Sequence, residues 1–342
     1  MTKNPFQAVI DALLEPSKPF PKKYLSLFSD IDSASLKLVL DVWPRISLTR
    51  KRTLLEELDA LLDEATIVSF DDFARALLTD PDAPVRAGAM RLLAECDDVK
   101  LLPVYEKIIT SDPEPDARAE AARVLNLFVD LGEMDEIPES VLHRAEEALL
   151  AAMHDDDAEV RRRALESLGY SSREEVPALI EAAVQREDPD WQASALIAMG
   201  RSNEERWSEP IVRMMLSEYR NVRLEAVKAA GELSLPAARL PLLRMLDEEE
   251  DSTILSAIIW SLSQVGGEDV RTYLENLLVQ TEDDDELDFI EDALANLSFT
   301  EDMEHFDFLA IDPDMDLIEL LDEDEEEKPA PKKAAKGGKK KK

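Results

Sequence analysis

Cysteine is nearly missing from this sequence. Cys96 stands alone among 342 residues, which excludes an internal disulfide and any disulfide-stapled fold and points to a reducing compartment. Glycine is scarce, with 9 residues in all, as expected of helices joined by tight turns. Histidine occurs three times, as His143, His154 and His305, so few metal ligands or general bases are at hand. HExxH, CxxC, GxSxG and a Gly-rich phosphate loop are all absent, and neither a cofactor nor an enzymatic activity is expected. No run approaches the roughly 18 to 20 uncharged apolar residues of a membrane span. Met1 to Pro16 carries Asp11 and Glu15 where a secretory leader would be apolar. A soluble cytoplasmic protein without membrane contact is the expectation.

Basic residues are also few. Eight of the 39 lie between Lys328 and Lys342, so residues 1–327 hold 31 against 76 acidic ones, a net charge of -45. Such a field disfavours nucleic acid and anionic membrane and favours basic partners.

What is present is a repeat. Apolar residues make up 45% of the chain, enough to bury a core. A ten-residue pattern of apolar, Arg, two variable, Ala, apolar, two variable, Leu, small recurs through them. It reads VRAGAMRLLA from Val85, ARAEAARVLN from Ala117, VRRRALESLG from Val160, WQASALIAMG from Trp191, VRLEAVKAAG from Val222, ILSAIIWSLS from Ile254 and FIEDALANLS from Phe289. Successive starts differ by 32, 43, 31, 31, 32 and 35 residues, the long step marking an insertion near 130–140. Apolar residues at positions 0, 4, 5 and 8 form one helical face. Asp82, Asp157, Asp188 and Asp251, three residues before position 0, are expected N-caps, and Gly169, Gly200 and Gly231 at position 9 are expected helix ends in the left-handed conformation. A second apolar segment follows in each unit, opened by Pro103, Pro177, Pro210 or Pro241. Small residues at position 4 let neighbouring helices approach, and a stack of pairs buries what one pair cannot.

These residues resemble the short HEAT-like repeat of the phycobilisome-lyase type, best in Val176 to Gly200 and Leu240 to Leu262. The resemblance spans about Asp80 to Ile311. It implies an all-α, right-handed α-solenoid of antiparallel helix pairs, of the HEAT-like or armadillo type. It also implies that Asp82 with Arg86 and Asp157 with Arg161, spaced i, i+4, belong to a structural ladder between units. Iron-binding deoxyhypusine hydroxylases use related repeats with His-Glu pairs; here Arg144, Asp155 and Phe306 follow the three histidines, and that reading fails. Bilin lyases share the repeat, but nothing in the residues is specific to a chromophore.

The domain reading is an N-terminal helical cap over 1–79, outside the repeat register, then an array of about seven repeats over 80–311. A disordered acidic, then Lys-rich tail occupies 312–342, with Lys332, Lys333, Lys336, Lys339, Lys340, Lys341 and Lys342 at its end. Positions 2, 3 and 6 of the patterned helices are expected to face away from the core, and the resemblance implies that these helices line a concave surface. Arg91, Arg123, Arg162, Arg163 and Lys228, beside Ile197 and Trp260, are the candidate partner-binding residues there. The expected function is a non-catalytic scaffold or adaptor binding a protein or peptide partner, possibly basic. Two alternatives stay open: a nucleic-acid-associated factor acting through the tail and the basic column, and a bilin-lyase-like enzyme.

Overall fold

The structure is a computed structural model that describes residues 6–64 and 67–309; the tail lies outside the described residues. Among the described residues the chain is helical and has no strand. Four helices come first: α1 (Gln7–Leu13), α2 (Ser33–Val42), α3 (Leu48–Glu64) and α4 (Asp71–Leu77). Then follow α5 (Ala83–Arg91) and α6 (Leu102–Ser111), α7 (Pro115–Val124), the additional α8 (Asn126–Glu133), and α9 (Glu139–Ala152). The remainder is α10 (Ala158–Leu168) and α11 (Val176–Val184), α12 (Pro189–Arg201) and α13 (Ser208–Met214), α14 (Arg220–Glu232) and α15 (Arg239–Glu248), α16 (Ser252–Val265) and α17 (Glu268–Gln280), and α18 (Asp284–Leu309). The insertion is α8, which continues α7 past a bend at Leu125.

The patterned helices are α5, α7, α10, α12, α14, α16 and α18. Each packs directly against the next, whereas among the alternating helices contact beyond that of α6 with α9 is slight. The closely spaced row is therefore the inner arc of an α-solenoid and the splayed row the outer one. Positions 0, 4, 5 and 8 are buried in the first six repeats. In the seventh the face rotates by a residue: Ile290, Ala293 and Leu297 are buried, while Phe289 and Leu294 are partly covered.

Close approach of the inner helices sets the role of the glycines, and here the sequence expectation fails. Gly169 has φ -53°, and Gly200 and Gly231 lie inside α12 and α14. A Cβ on Gly169 would lie 2.7 Å from Ala198 Cα, and one on Gly231 would lie 2.9 Å from Ser261 Cα. These glycines admit the neighbouring backbone. The left-handed turns fall instead on Asn203 and Ser234, where Ser234 N–H donates to Gly231 and Leu235 N–H to Ala230.

Asp157, Asp188 and Asp251 cap their helices as expected. Asp82 does not: Pro84 removes one backbone donor of the first turn, and the Asp82 carboxylate is taken by both Nε and Nη2 of Arg52, at 2.9 and 2.7 Å. The ladder exists, but its rungs join different residues from the i, i+4 pairs. Arg86 holds Asp112 of the next repeat through Nε and Nη2 at 2.8 and 2.6 Å, while its Nη1 donates to the carbonyl of Asp80 at 2.7 Å. Arg118 does the same with Asp155 at 2.7 and 2.9 Å and with the carbonyl of Asp112 at 2.8 Å. Arg223 reaches Glu249 at 3.2 Å and the carbonyl of Ser217 at 3.1 Å. The i, i+4 geometry is lost because the arginine extends along the stack to the next loop.

The N-terminal region is more regular than its sequence suggests. Leu54, Leu55 and Leu58 of α3 are buried as positions 4, 5 and 8 would be, and Lys51 stands at position 1 with its Nζ 3.2 Å from Asp80. The ladder thus begins one helix earlier than the recurring pattern. Phe6, Phe20, Tyr24, Phe28, Trp43 and Phe73 form an aromatic core with ring centroids 4.9 to 6.3 Å apart.

Candidate binding groove

The inner helices line the groove, and their crowding alters which columns reach it. Ala87, Gly88, Ala119, Ala193 and Ser194, at positions 2 and 3, are buried between neighbours and do not face solvent. Glu166, at position 6, is also buried; it accepts a hydrogen bond from the Ser194 hydroxyl at 2.6 Å.

All five basic candidates are engaged in ion pairs within the chain. Arg91 lies between Asp59 at 3.4 Å and Glu120 at 3.6 Å, and Arg123 pairs with Glu120 at 2.6 Å. Arg162 pairs with Glu159, Arg163 with Glu159 and Glu166 at 2.8 and 2.9 Å, and Lys228 with Glu225 at 3.0 Å. Arg91, Arg123 and Arg163 share a cleft of about 290 Å³ with Glu120 and Glu159. That cleft is a neutralised network, not a basic stripe.

A second cleft, of about 460 Å³, lies between α14 and α16 and is lined by Lys228, Gly231, Glu232, Ala257, Trp260 and Gln264. Trp260 is 42% exposed, with its ring centroid 6.4 Å from that of Phe289. Ile197 is half-buried and belongs to neither cleft, and Arg162 also lines neither. Trp191 is buried at position 0.

The sequence reading missed position 10, one residue beyond the recurring pattern. Tyr170, Arg201, Glu232 and Gln264 occupy it in successive repeats. The Arg201 guanidinium lies 5.2 Å from the Tyr170 ring centroid, and its Nη1 donates to the carbonyl of Glu166 at 2.9 Å. Desolvation in the groove pushes the Glu232 and Asp130 carboxyls above the usual carboxylate range despite the opposing charge of Arg201. Glu232 is nevertheless exposed by surface area, so it stands on the rim of the groove, crowded by neighbouring side chains but open to solvent. Asp130 comes from the inserted α8, which no repeat template aligns with the rim.

Elsewhere, the Cys96 thiol is pushed up by burial and accepts from Arg75 Nη2 at 3.1 Å. His143 stands on the outer row, 3.8 Å from Glu139. Among the described residues no cluster of His, Cys, Asp or Glu could hold a metal ion, and no helix is long and apolar enough to cross a membrane.

Fold and groove together define a helical-repeat protein built as an α-solenoid. Residues 146–220 and 208–295 match the family of HEAT repeats. Residues 146–295 therefore carry HEAT repeats. No curated protein matches it significantly in sequence. Among solved structures, the complex of CpcE and CpcF of phycocyanin lyase from Nostoc sp. is similar at 16% identity and TM-score 0.50, over 83% of this chain and 97% of that one. YibA of Escherichia coli is similar at 16% identity and TM-score 0.43, over 83% of this chain and 99% of that one. Human deoxyhypusine hydroxylase is similar at 16% identity and TM-score 0.33, over 76% of this chain and 95% of that one. At this identity the likeness concerns the fold alone.

Proposed function

We propose that this protein is a non-catalytic cytoplasmic scaffold that binds a polypeptide in its inner groove, with Trp260 as the apolar anchor. The observation carrying this reading is the pairing of an exposed Trp260 with an open cleft while the neighbouring cations are already neutralised. Aromatic residues beside a well-shaped pocket are the usual energetic centres of interfaces. Glu232, which has no ion pair within 4 Å among the described residues and stands on the same cleft, favours a basic residue next to the partner's apolar side chain. The net charge of -45 over residues 1–327 makes acidic surface the common local environment and supports the same choice.

The nucleic-acid reading rests on a separate observation, the eight lysines from Lys328 to Lys342. One experiment separates the two. Cross-linked partners are recovered from lysate with and without nuclease, using the full chain, Trp260→Ala, and a chain shortened before Lys328. The scaffold reading expects partners that survive nuclease and weaken with Trp260→Ala, by about 2 kcal/mol or more for an anchor of this kind. Partners that vanish with nuclease and with the tail, but not with Trp260→Ala, would overturn it.

A further inference from the structure

The ladder along the loop edge has one charged interruption. At Asp112 and Asp155 the residue five before position 0 supplies two things. Its carbonyl accepts from the arginine of its own repeat, and its side chain accepts from the residue two later and from the arginine of the preceding repeat. Asp112 thus accepts from Glu114 N–H at 3.0 Å and from Arg86, and Asp155 accepts from Asp157 N–H at 2.8 Å and from Arg118. Glu249 likewise accepts from Asp251 N–H at 3.2 Å and from Arg223. In the fourth repeat this position is Arg186.

Arg161 is nevertheless set as its counterparts are. Its Nη1 donates to the carbonyls of Asp155 and Asp156, the latter at 3.0 Å, which is the pose that turns Nε and Nη2 of Arg86 and Arg118 toward the next repeat. Among the described residues no carboxylate lies within 4 Å of Arg161. Asp188 N–H, the equivalent of the donor that Asp112, Asp155 and Glu249 satisfy, has no hydrogen-bond partner among the described residues. Arg186 is exposed and lies over the Trp191 ring, its guanidinium carbon 3.8 Å from the centroid. Where every equivalent charged rung holds a carboxylate, this one therefore has Arg186 in the acid's position, an Arg161 without an acidic partner and an unbonded Asp188 N–H.

We propose that the Arg161–Arg186 rung is a docking site for a carboxylate presented by an Asp or Glu side chain of another polypeptide, which completes the rung from outside. The chemistry favours a carboxylate because Asp112 and Asp155 show the fork that the Arg161 edge is oriented to make, two parallel N–H donors on one planar anion. The strongly acidic body does not prevent it, because at physiological salt charges beyond about 8 Å are largely screened. The site lies on the loop edge and does not depend on the reading of the groove.

The test is a titration of the full chain followed by the NMR signals of arginine Nε–H and of Asp188 N–H. The probes are acetate, inorganic phosphate, and a short neutral-capped peptide with a single central aspartate. Acetate should shift the Arg161 and Asp188 signals saturably, on the order of millimolar for so small a ligand, while Arg86, Arg118 and Arg223 stay in place. The aspartyl peptide should displace acetate from the same signals. Arg186→Asp supplies the missing carboxylate internally and should weaken both ligands by about tenfold or more without loss of the fold. Equal shifts at all arginines, an unchanged response in Arg186→Asp, a clear preference for phosphate, or failure of the peptide to compete would each overturn the proposal.

Discussion

Arg86→Met tests whether the ladder stabilises the stack. The substitution keeps an apolar stem of similar length and removes three donated hydrogen bonds, two to Asp112 and one to the Asp80 carbonyl. The Arg86 and Asp112 side chains are 10% and 6% exposed, so Asp112 is left as a buried charge with Glu114 N–H as its remaining donor. Removing one partner of a buried pair costs about 3 to 5 kcal/mol, most of it the penalty on the charge left behind. Arg220→Met breaks a pair of the same kind with Asp251, but those side chains are 52% and 28% exposed, and solvent replaces what is lost. The loss should then be small, below about 1 kcal/mol. The double variant Arg86→Met with Asp112→Leu should recover most of the first loss, because no unpaired charge remains. Urea unfolding gives the totals, and amide exchange in α5 and α7 detects a stack that opens locally first. Equal costs for Arg86→Met and Arg220→Met, or a double variant worse than the single one, would refute the argument.

Ala226→Leu should overpack the contact between α12, α14 and α16 and cost about 1 to 3 kcal/mol in thermal or urea unfolding, since Ala226 is fully buried. Gly169→Ala should destabilise by about 1 kcal/mol or more despite the better helix propensity of alanine, because its Cβ would meet the Ala198 carbonyl oxygen at 2.8 Å. An Ala variant as stable as the parent would show that the inner helices can separate freely. The Asp251 carboxyl is held at about 2, chiefly by hydrogen bonding from Arg220. A depressed carboxylate stabilises the fold above its unfolded value near 3.8 and loses that contribution as pH falls toward 2. Carbon NMR of Asp251 should therefore titrate below the ordinary aspartate range, and Arg220→Met should return it there.

The stack was legible because its signal is redundant. Positions 0, 4, 5 and 8 must be apolar in every unit to close the core, and Val85, Val160 and Val222 are buried as their pattern requires. Three of the four caps followed from local chemistry, and the fourth failed through Arg52, a residue 30 positions away. Gly169, Gly200 and Gly231 misled because a small residue at a helix end can serve a turn or a neighbour, and the local sequence is identical in the two cases. Arg86 was assigned to the ladder correctly, but the direction in which its side chain extends is tertiary information. The groove was less legible still. Glu120, Glu159 and Glu225 neutralise the basic column from positions that column statistics treat as independent. Arg201 and Glu232 fell outside a pattern defined by burial, since residues on a rim are under no requirement to be apolar.

The fork of each ladder arginine also gives the array a direction. The donor always belongs to the earlier repeat and the acceptor to the later one, with Lys51 opening the series and Glu249 receiving at its far end. A duplicated repeat that carries both an acid before its inner helix and an arginine at position 1, as the segment from Asp112 to Arg118 does, can be spliced in without stranding a charge. The fourth repeat, with Arg186 and Gln192 at those places, cannot. It terminates one run of rungs and lets another begin at Arg223, so the solenoid has two shorter ladders of ion pairs, joined at their seam by core packing and by the hydrogen bonds of Ser194 and Arg201 to Glu166 and of Asn221 to Asp190.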